Sequence, residues 1–133
     1  VQGIKENLID VIVSDHLPED EESKRLPFAQ AATGAIGIET LLPLSLEMYH
    51  NESLSLEKII ETLTINPSKI LKINKGSLKK GCDGDICIFD LEAPWKLDAE
   101  KLKSKSKNTA IEGRTLQGKV LKTFLNGELV YNQ

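Results

Sequence analysis

The sequence predicts a mixed α/β chain in two parts, on three observations. A largely β-branched run, Leu8-Ile9-Asp10-Val11-Ile12-Val13, ends in the polar group Ser14-Asp15-His16. Apolar residues then recur at helical spacing from Ala35 to about Ile73. After Lys75-Gly76 the pattern changes from a period of 3.6 towards a period of 2. Residues 1–75 are therefore expected to form the α/β part, and residues 76–133 a separate β-rich unit.

Each element follows from local pattern. Leu8 to Val13 has the apolar continuity of a strand buried on both faces of a parallel sheet, with polar groups at its C-terminal end. Leu17 to Pro27 carries Glu19, Asp20, Glu21, Glu22, Lys24 and Arg25 between two prolines, which reads as a solvated loop lying over something. Ala35 to His50 reads as a buried helix with Gly34 and Gly37 near its start and Pro43 perturbing its first turns. Leu56 to Thr64 is a second helix: Ser55 is its N-cap, and Leu56, Ile59, Ile60 and Leu63 line one face. Asn66 then caps a short helix through Ile73, with Pro67 at its first position. Beyond Gly76, Asp85–Asp90 and Trp95–Asp98 are short strands. Asn126-Gly127 between apolar runs marks a tight hairpin, whose two central residues take positive φ. The basic run Lys101, Lys103, Lys105 and Lys107 reads as a solvated loop rather than a phosphate site.

Composition narrows the function. The 133 residues are 40% hydrophobic and 28% charged, which is globular rather than disordered or fibrous. Apolar stretches are interrupted well before the roughly 18–20 residues of a membrane span, and no leader pattern opens the chain, so a cytoplasmic protein is expected. Seventeen basic against twenty acidic residues give no attraction for a polyanion, so no nucleic acid partner is expected. Cys82 and Cys87 lack the paired short spacing of structural zinc sites and read as reduced core thiols. With Val1 in place of a methionine and a partly buried segment following at once, the chain is expected to be an excised piece.

Asp15 is the candidate reacting group. An Asp at the C-terminal end of a buried parallel strand, followed by His and a Pro-bounded loop, stands where α/β barrels hold their chemistry. Asp at strand ends also caps loops and helices, so a structural role is open. In the catalytic case the carboxylate takes a proton from a metal-bound water, whose pKa a cation lowers to about 7, and hands it to a leaving nitrogen. The chain cannot build that metal site: its two histidines are His16 and His50, and His50 falls at a helix end where a solvated histidine is expected.

Several stretches, taken in order, carry a resemblance. They are Ser14-Asp15-His16-Leu17-Pro18, Pro27-Phe28, Gly34-Ala35-Ile36-Gly37-Ile38-Glu39-Thr40, Leu63-Thr64-Ile65-Asn66-Pro67-Ser68, Gly76-Ser77-Leu78-Lys79-Lys80-Gly81 with Asp85-Ile86, and Ser104-Lys105-Ser106-Lys107-Asn108-Thr109, closed by Gly113 and Leu116-Gln117-Gly118-Lys119-Val120. Together they resemble the class I dihydroorotases of pyrimidine biosynthesis, in the amidohydrolase superfamily. The resemblance implies the C-terminal end of a TIM barrel, its last strand and helices, plus part of a small accessory β-domain. It implies one or two zinc ions, and dihydroorotate and N-carbamoyl-L-aspartate as substrates. It places Asp15 as metal ligand and proton shuttle, and Thr33 and Gly34 as substrate-binding positions. It also implies a homodimer, with aspartate carbamoyltransferase as a further partner. The other metal ligands, a His-x-His and two further histidines, would lie before Val1, so this chain alone is expected to be inactive.

Two positions depart from the family pattern. Glu19 stands where many members have a substrate-binding His, and an anionic side chain there would repel the substrate carboxylate unless it turned away or was protonated. Ala110-Ile111 replaces Pro-Phe after Asn108-Thr109. Alternatives are another cyclic amidohydrolase, such as an allantoinase or hydantoinase, an inactive scaffold subunit of aspartate carbamoyltransferase, and a free-standing small domain.

Overall fold

The computed structural model describes all of residues 1–133: a series of short helices followed by a three-stranded antiparallel sheet. After α1 (Gln2–Lys5), the run Leu8 to Val13 forms no strand, against expectation. A parallel strand needs a neighbour to complete its ladder. Here the nearest equivalent is a single parallel bridge between His16 and Ala35. Leu8 and Val13 are accordingly 75% and 70% exposed. The charged loop contains one helical turn, α2 (Glu21–Lys24), capped by Asp20, whose Oδ1 accepts from Ser23 N at 2.8 Å.

The main helix α3 (Leu41–His50) starts six residues later than the apolar pattern suggests. Residues 35–38 are committed elsewhere: Ala35 bridges His16, Ile36 N donates to Asn108 O at 2.9 Å, and Gly37 and Ile38 donate to the His16 side chain. Pro43 then falls in the first turn, where its missing N–H leaves no helix bond unmade. The next helix, α4 (Leu56–Leu63), matches its signals, with Ser55 Oγ accepting from Lys58 N at 3.2 Å. In α5 (Ile65–Leu71) the cap position belongs to Thr64 and Asn66 lies inside the helix; its Nδ2 donates to Asp10 O at 2.9 Å instead. Ile4, Leu54 and Ile59 form a small core where α4 meets the chain start, joined by Ile12, Met48, Tyr49 and Leu63.

The two strands expected before residue 98 are one strand, β1 (Ile86–Lys96). A register shift between Asp90 and Pro94 joins them, and Asp90 Oδ1 accepts from Glu92 N and Ala93 N across it. Strands β2 (Thr115–Leu125) and β3 (Glu128–Asn132) form the expected hairpin, with Asn126 at φ 51° and Gly127 at φ 82°. Cys82 is half-buried and Cys87 exposed; both are free thiols, and neither lies in the core. Between β1 and β2 the chain leaves the sheet through a short 3-10 turn (Ala99–Lys101) and returns across residues 34–39. There Lys103 N and Ser104 N donate to Glu39 Oε1, and Asn108 Nδ2 donates to Gly34 O. Lys101, Lys103 and Lys105 are exposed, as a solvated loop requires, whereas Lys107 is half-buried and its Nζ donates to Leu102 O at 2.8 Å.

Only 14 residues are buried, and the accessible surface is 9190 Å². A compact monomer of 14.7 kDa exposes roughly 6,900 Å². The excess includes large apolar groups such as Phe28 at 100%, Leu78 at 82% and Leu71 at 68% exposure. No helix is long and apolar enough to cross a membrane.

Candidate active-site cleft

Asp15 occupies a corner of the backbone with φ 44°, the left-handed region. Holding a residue with a Cβ there costs roughly 1–3 kcal/mol, and Asp is among the few side chains that tolerate it. The conformation persists because the residues on both sides are pinned to the loop ahead of α3. Upstream, Ser14 O packs so close to Gly37 that a Cβ at position 37 would stand 2.7 Å from it. Downstream, Gly37 N and Ile38 N donate to His16 Nδ1 at 3.1 and 3.3 Å, and Leu17 N donates to Ala35 O at 3.0 Å. Gly34, at φ 107°, closes the corner against Leu17.

The corner borders an open cleft of about 540 Å³, within the range of small-molecule sites. Its walls are mostly apolar, with Val13, Ile36, Leu44 and Met48 among them, and Asp15 is the sole ionisable group in its lining. Asp15 and Gly34 both line this cleft. Thr33 is exposed beside Gly34 and is not part of the lining, and neither is Glu19. The main-chain oxygen of Glu19 accepts from Ser106 Oγ at 2.6 Å, which ties the charged loop to the segment after β1.

Sequence reasoning passed over the groups that hold this loop in place. Lys24 Nζ donates to both Ala32 O and Gly34 O at 2.5 Å, and Asn108 Nδ2 reaches the same Gly34 oxygen at 3.0 Å. In the sequence Asn108 belongs to a motif, but Lys24 reads as one more charge in a solvated loop. A contact between residues ten apart in an irregular segment leaves no periodic trace.

A metal centre does not fit the residues of this chain by themselves. No three His, Cys, Asp or Glu residues converge where they could hold an ion. The His16 Nδ1 lone pair is already taken by two backbone donors. His50 is not the solvated histidine its position suggests: its Nε2 is buried without a hydrogen-bond partner, and its ring meets Tyr49 edge-on with centroids 5.3 Å apart.

Comparison with known proteins bears on this arrangement. The chain is 44% identical over 131 residues to a dihydroorotase of Ehrlichia canis and 42% identical over 131 residues to one of Aquifex aeolicus, in each case across 98% of the chain. It spans 29 to 31% of the length of these relatives. Among solved structures, an L-hydantoinase (dihydropyrimidinase) from Arthrobacter aurescens superposes with a TM-score of 0.86 at 34% identity, covering 98% of this chain and 30% of the other. A dihydropyrimidinase from Brevibacillus agri, with TM-score 0.92 and the same coverage, is 22% identical and shares the fold. The amidohydrolase family profile matches residues 2–130, and with nearly every element thereby accounted for, the chain belongs to the amidohydrolase family.

Proposed function

We propose that the full-length protein is a dihydroorotase, which reversibly hydrolyses the ring amide of dihydroorotate to give N-carbamoyl-L-aspartate. In this reading residues 1–75 are the last strand and final helices of a TIM barrel, and residues 76–133 are part of its accessory β-domain. The observation that carries the proposal is Asp15, pinned in a left-handed corner by contacts of its neighbours with the loop of residues 34–38. Relatives named dihydroorotase, 38 to 44% identical over nearly the whole chain, favour this substrate class. The large exposed apolar surface is consistent with cover by the remainder of a longer protein.

Ring opening forms a bond from water oxygen to the amide carbonyl carbon and breaks the bond from that carbon to nitrogen. The Asp15 carboxylate takes the water proton and returns it to the departing nitrogen. Backbone groups of the 33–34 loop are assigned to the substrate, Gly34 from within the cleft lining and Thr33 from beside it. Glu19 lies outside the lining and is given no substrate contact. The family is metal-dependent, and we assign one or two zinc ions, with Asp15 as one ligand and the rest contributed from outside these residues. A cytoplasmic homodimer, with aspartate carbamoyltransferase as a further partner, completes the proposal.

A second reading, a hydantoinase, is favoured by the 34% identity to the L-hydantoinase structure. Steady-state kinetics of the full-length protein with dihydroorotate and with a 5-substituted hydantoin separate the two. A kcat/KM higher for dihydroorotate by about tenfold or more supports the proposal, and the reverse order assigns the chain to the hydantoinases.

A further inference from the structure

We propose that His16 is a positioning residue for Asp15: its Nδ1 lone pair fastens the Gly37-Ile38 turn to the 14–17 corner and so keeps Asp15 in its left-handed conformation at the cleft. The inference rests on the dihydroorotase reading, because it concerns the same carboxylate.

Three observations converge on His16. Asp15 is held at φ 44°, a conformation that relaxes unless its neighbours forbid it. The contacts that could forbid it all run between residues 14–17 and residues 34–38: the approach of Ser14 O to Gly37, the Leu17 N to Ala35 O bond, the packing of Leu17 on Gly34, and the His16 side chain. Only one of these involves a side-chain hydrogen bond, and it satisfies two backbone donors at once. Gly37 N and Ile38 N precede α3, so no helical carbonyl is available to them, and His16 Nδ1 is the acceptor that occupies both. Because Nδ1 accepts, the imidazole proton resides on Nε2. Without the acceptor, Gly37 N and Ile38 N lose their partner, and the hold of the turn on the corner, and through it on Asp15, is weakened to the Leu17 N to Ala35 O bond and the two packing contacts. A displacement of that carboxylate by about 1 Å costs on the order of 100-fold in rate, while the substrate's other contacts are unaffected.

The test uses the full-length enzyme and four proteins: wild type, His16→Leu, His16→Asn and Asp15→Asn. Asn places a side-chain oxygen where Nδ1 lies, so it keeps the acceptor, whereas Leu fills the space without one. The expected result is a kcat for dihydroorotate reduced about 10- to 100-fold in His16→Leu with little change in KM, and kcat restored to within about threefold of wild type in His16→Asn. Nitrogen NMR of wild type should find His16 as the Nε2–H tautomer. If His16→Leu does not fold, His16→Asn and the tautomer decide the matter: a crippled but folded His16→Asn, or a proton on Nδ1, overturns the inference. A folded His16→Leu with wild-type kcat also overturns it. If that happens while Asp15→Asn is inactive, the dihydroorotase reading stands and only the role of His16 falls. If Asp15→Asn is fully active, both fall.

Discussion

Replacing Gly34 with Ala adds one methyl group, and the structure fixes what that group meets. A Cβ at position 34 would stand 2.7 Å from Leu17 Cδ2 and 2.8 Å from Leu17 Cβ and Cγ. Relaxed carbon contacts need about 3.5–4.0 Å, so the loop and Leu17 must part by roughly 1 Å. At φ 107° the backbone is also in a region that costs a residue with a Cβ about 1–3 kcal/mol. The loop cannot absorb the displacement on its far side, because Lys24 and Asn108 tether Gly34 O. The shift therefore passes to Leu17 and to the Asp15 corner two residues upstream. Misplacement on that scale reduces rate about 100-fold. The assay is kcat/KM for dihydroorotate in the full-length protein, with a thermal melt to establish that the variant is folded. Adding Leu17→Ala removes the Cγ and Cδ2 clashes but not the Cβ clash, and should recover part of the loss. A folded Gly34→Ala variant within about threefold of wild type would show that the added methyl group does not displace the Asp15 corner.

Three further outcomes follow from packing and charge. Ile59 is fully buried against Ile4 and Leu54, so Ile59→Ala should destabilise the full-length protein by about 2–5 kcal/mol, read from its denaturant midpoint; a change under about 1 kcal/mol would mean the cluster is not a core. Asp85 ties the hairpin tip to the segment after α5: its carboxyl accepts from Asn126 N at 2.8 Å and from Lys75 Nζ at 2.5 Å, and both hold it below the usual carboxylate range. Its stabilising effect is complete above the unfolded pKa of about 3.9 and is lost as pH falls through the lower folded value. Lys75, raised by Asp83 and then Asp85, contributes fully below about 10.4 and loses its effect as pH rises through its raised value. The protection factor of the Asn126 amide, taken relative to its intrinsic exchange rate at each pH, should therefore fall at the acid end in wild type, and Asp85→Asn should abolish that fall; identical protection profiles would contradict the link. Residues 1–75 expressed alone should stay unfolded or aggregate, since Leu46, fully buried in this chain, lies on a helix packed against β2. A sharp monomeric melt of that piece would show otherwise.

What was legible in the sequence was local. Ser55 and the apolar spacing of α4 specify a helix within nine residues, and Asn126-Gly127 specifies a turn within two. Leu8 to Val13 has the pattern of a parallel strand but does not pair as one, because a parallel ladder is completed by its neighbours and these residues supply none. The start of α3 was misplaced for a related reason. Its apolar pattern continues back to Ala35, but Ala35 O accepts from Leu17 N and His16, 21 residues before Gly37, fastens Gly37 and Ile38 to the 14–17 corner, so this stretch is held as a turn. Asp15 and Gly34, which motif and chain position single out in the sequence, both line the cleft. Thr33 and Glu19 lie outside the cleft lining, and whether a loop residue faces inward is set by tertiary contacts such as those of Lys24 and Ser106.

In the proposed mechanism the Asp15 carboxylate moves the proton during ring hydrolysis. Asp15→Asn tests it most directly, since Asn keeps the shape and tolerates the left-handed backbone while losing the basic oxygen. In the full-length enzyme, kcat for dihydroorotate should fall by about 100- to 10,000-fold with the protein still folded. Turnover within about threefold of wild type would contradict the account and leave Asp15 a structural corner residue.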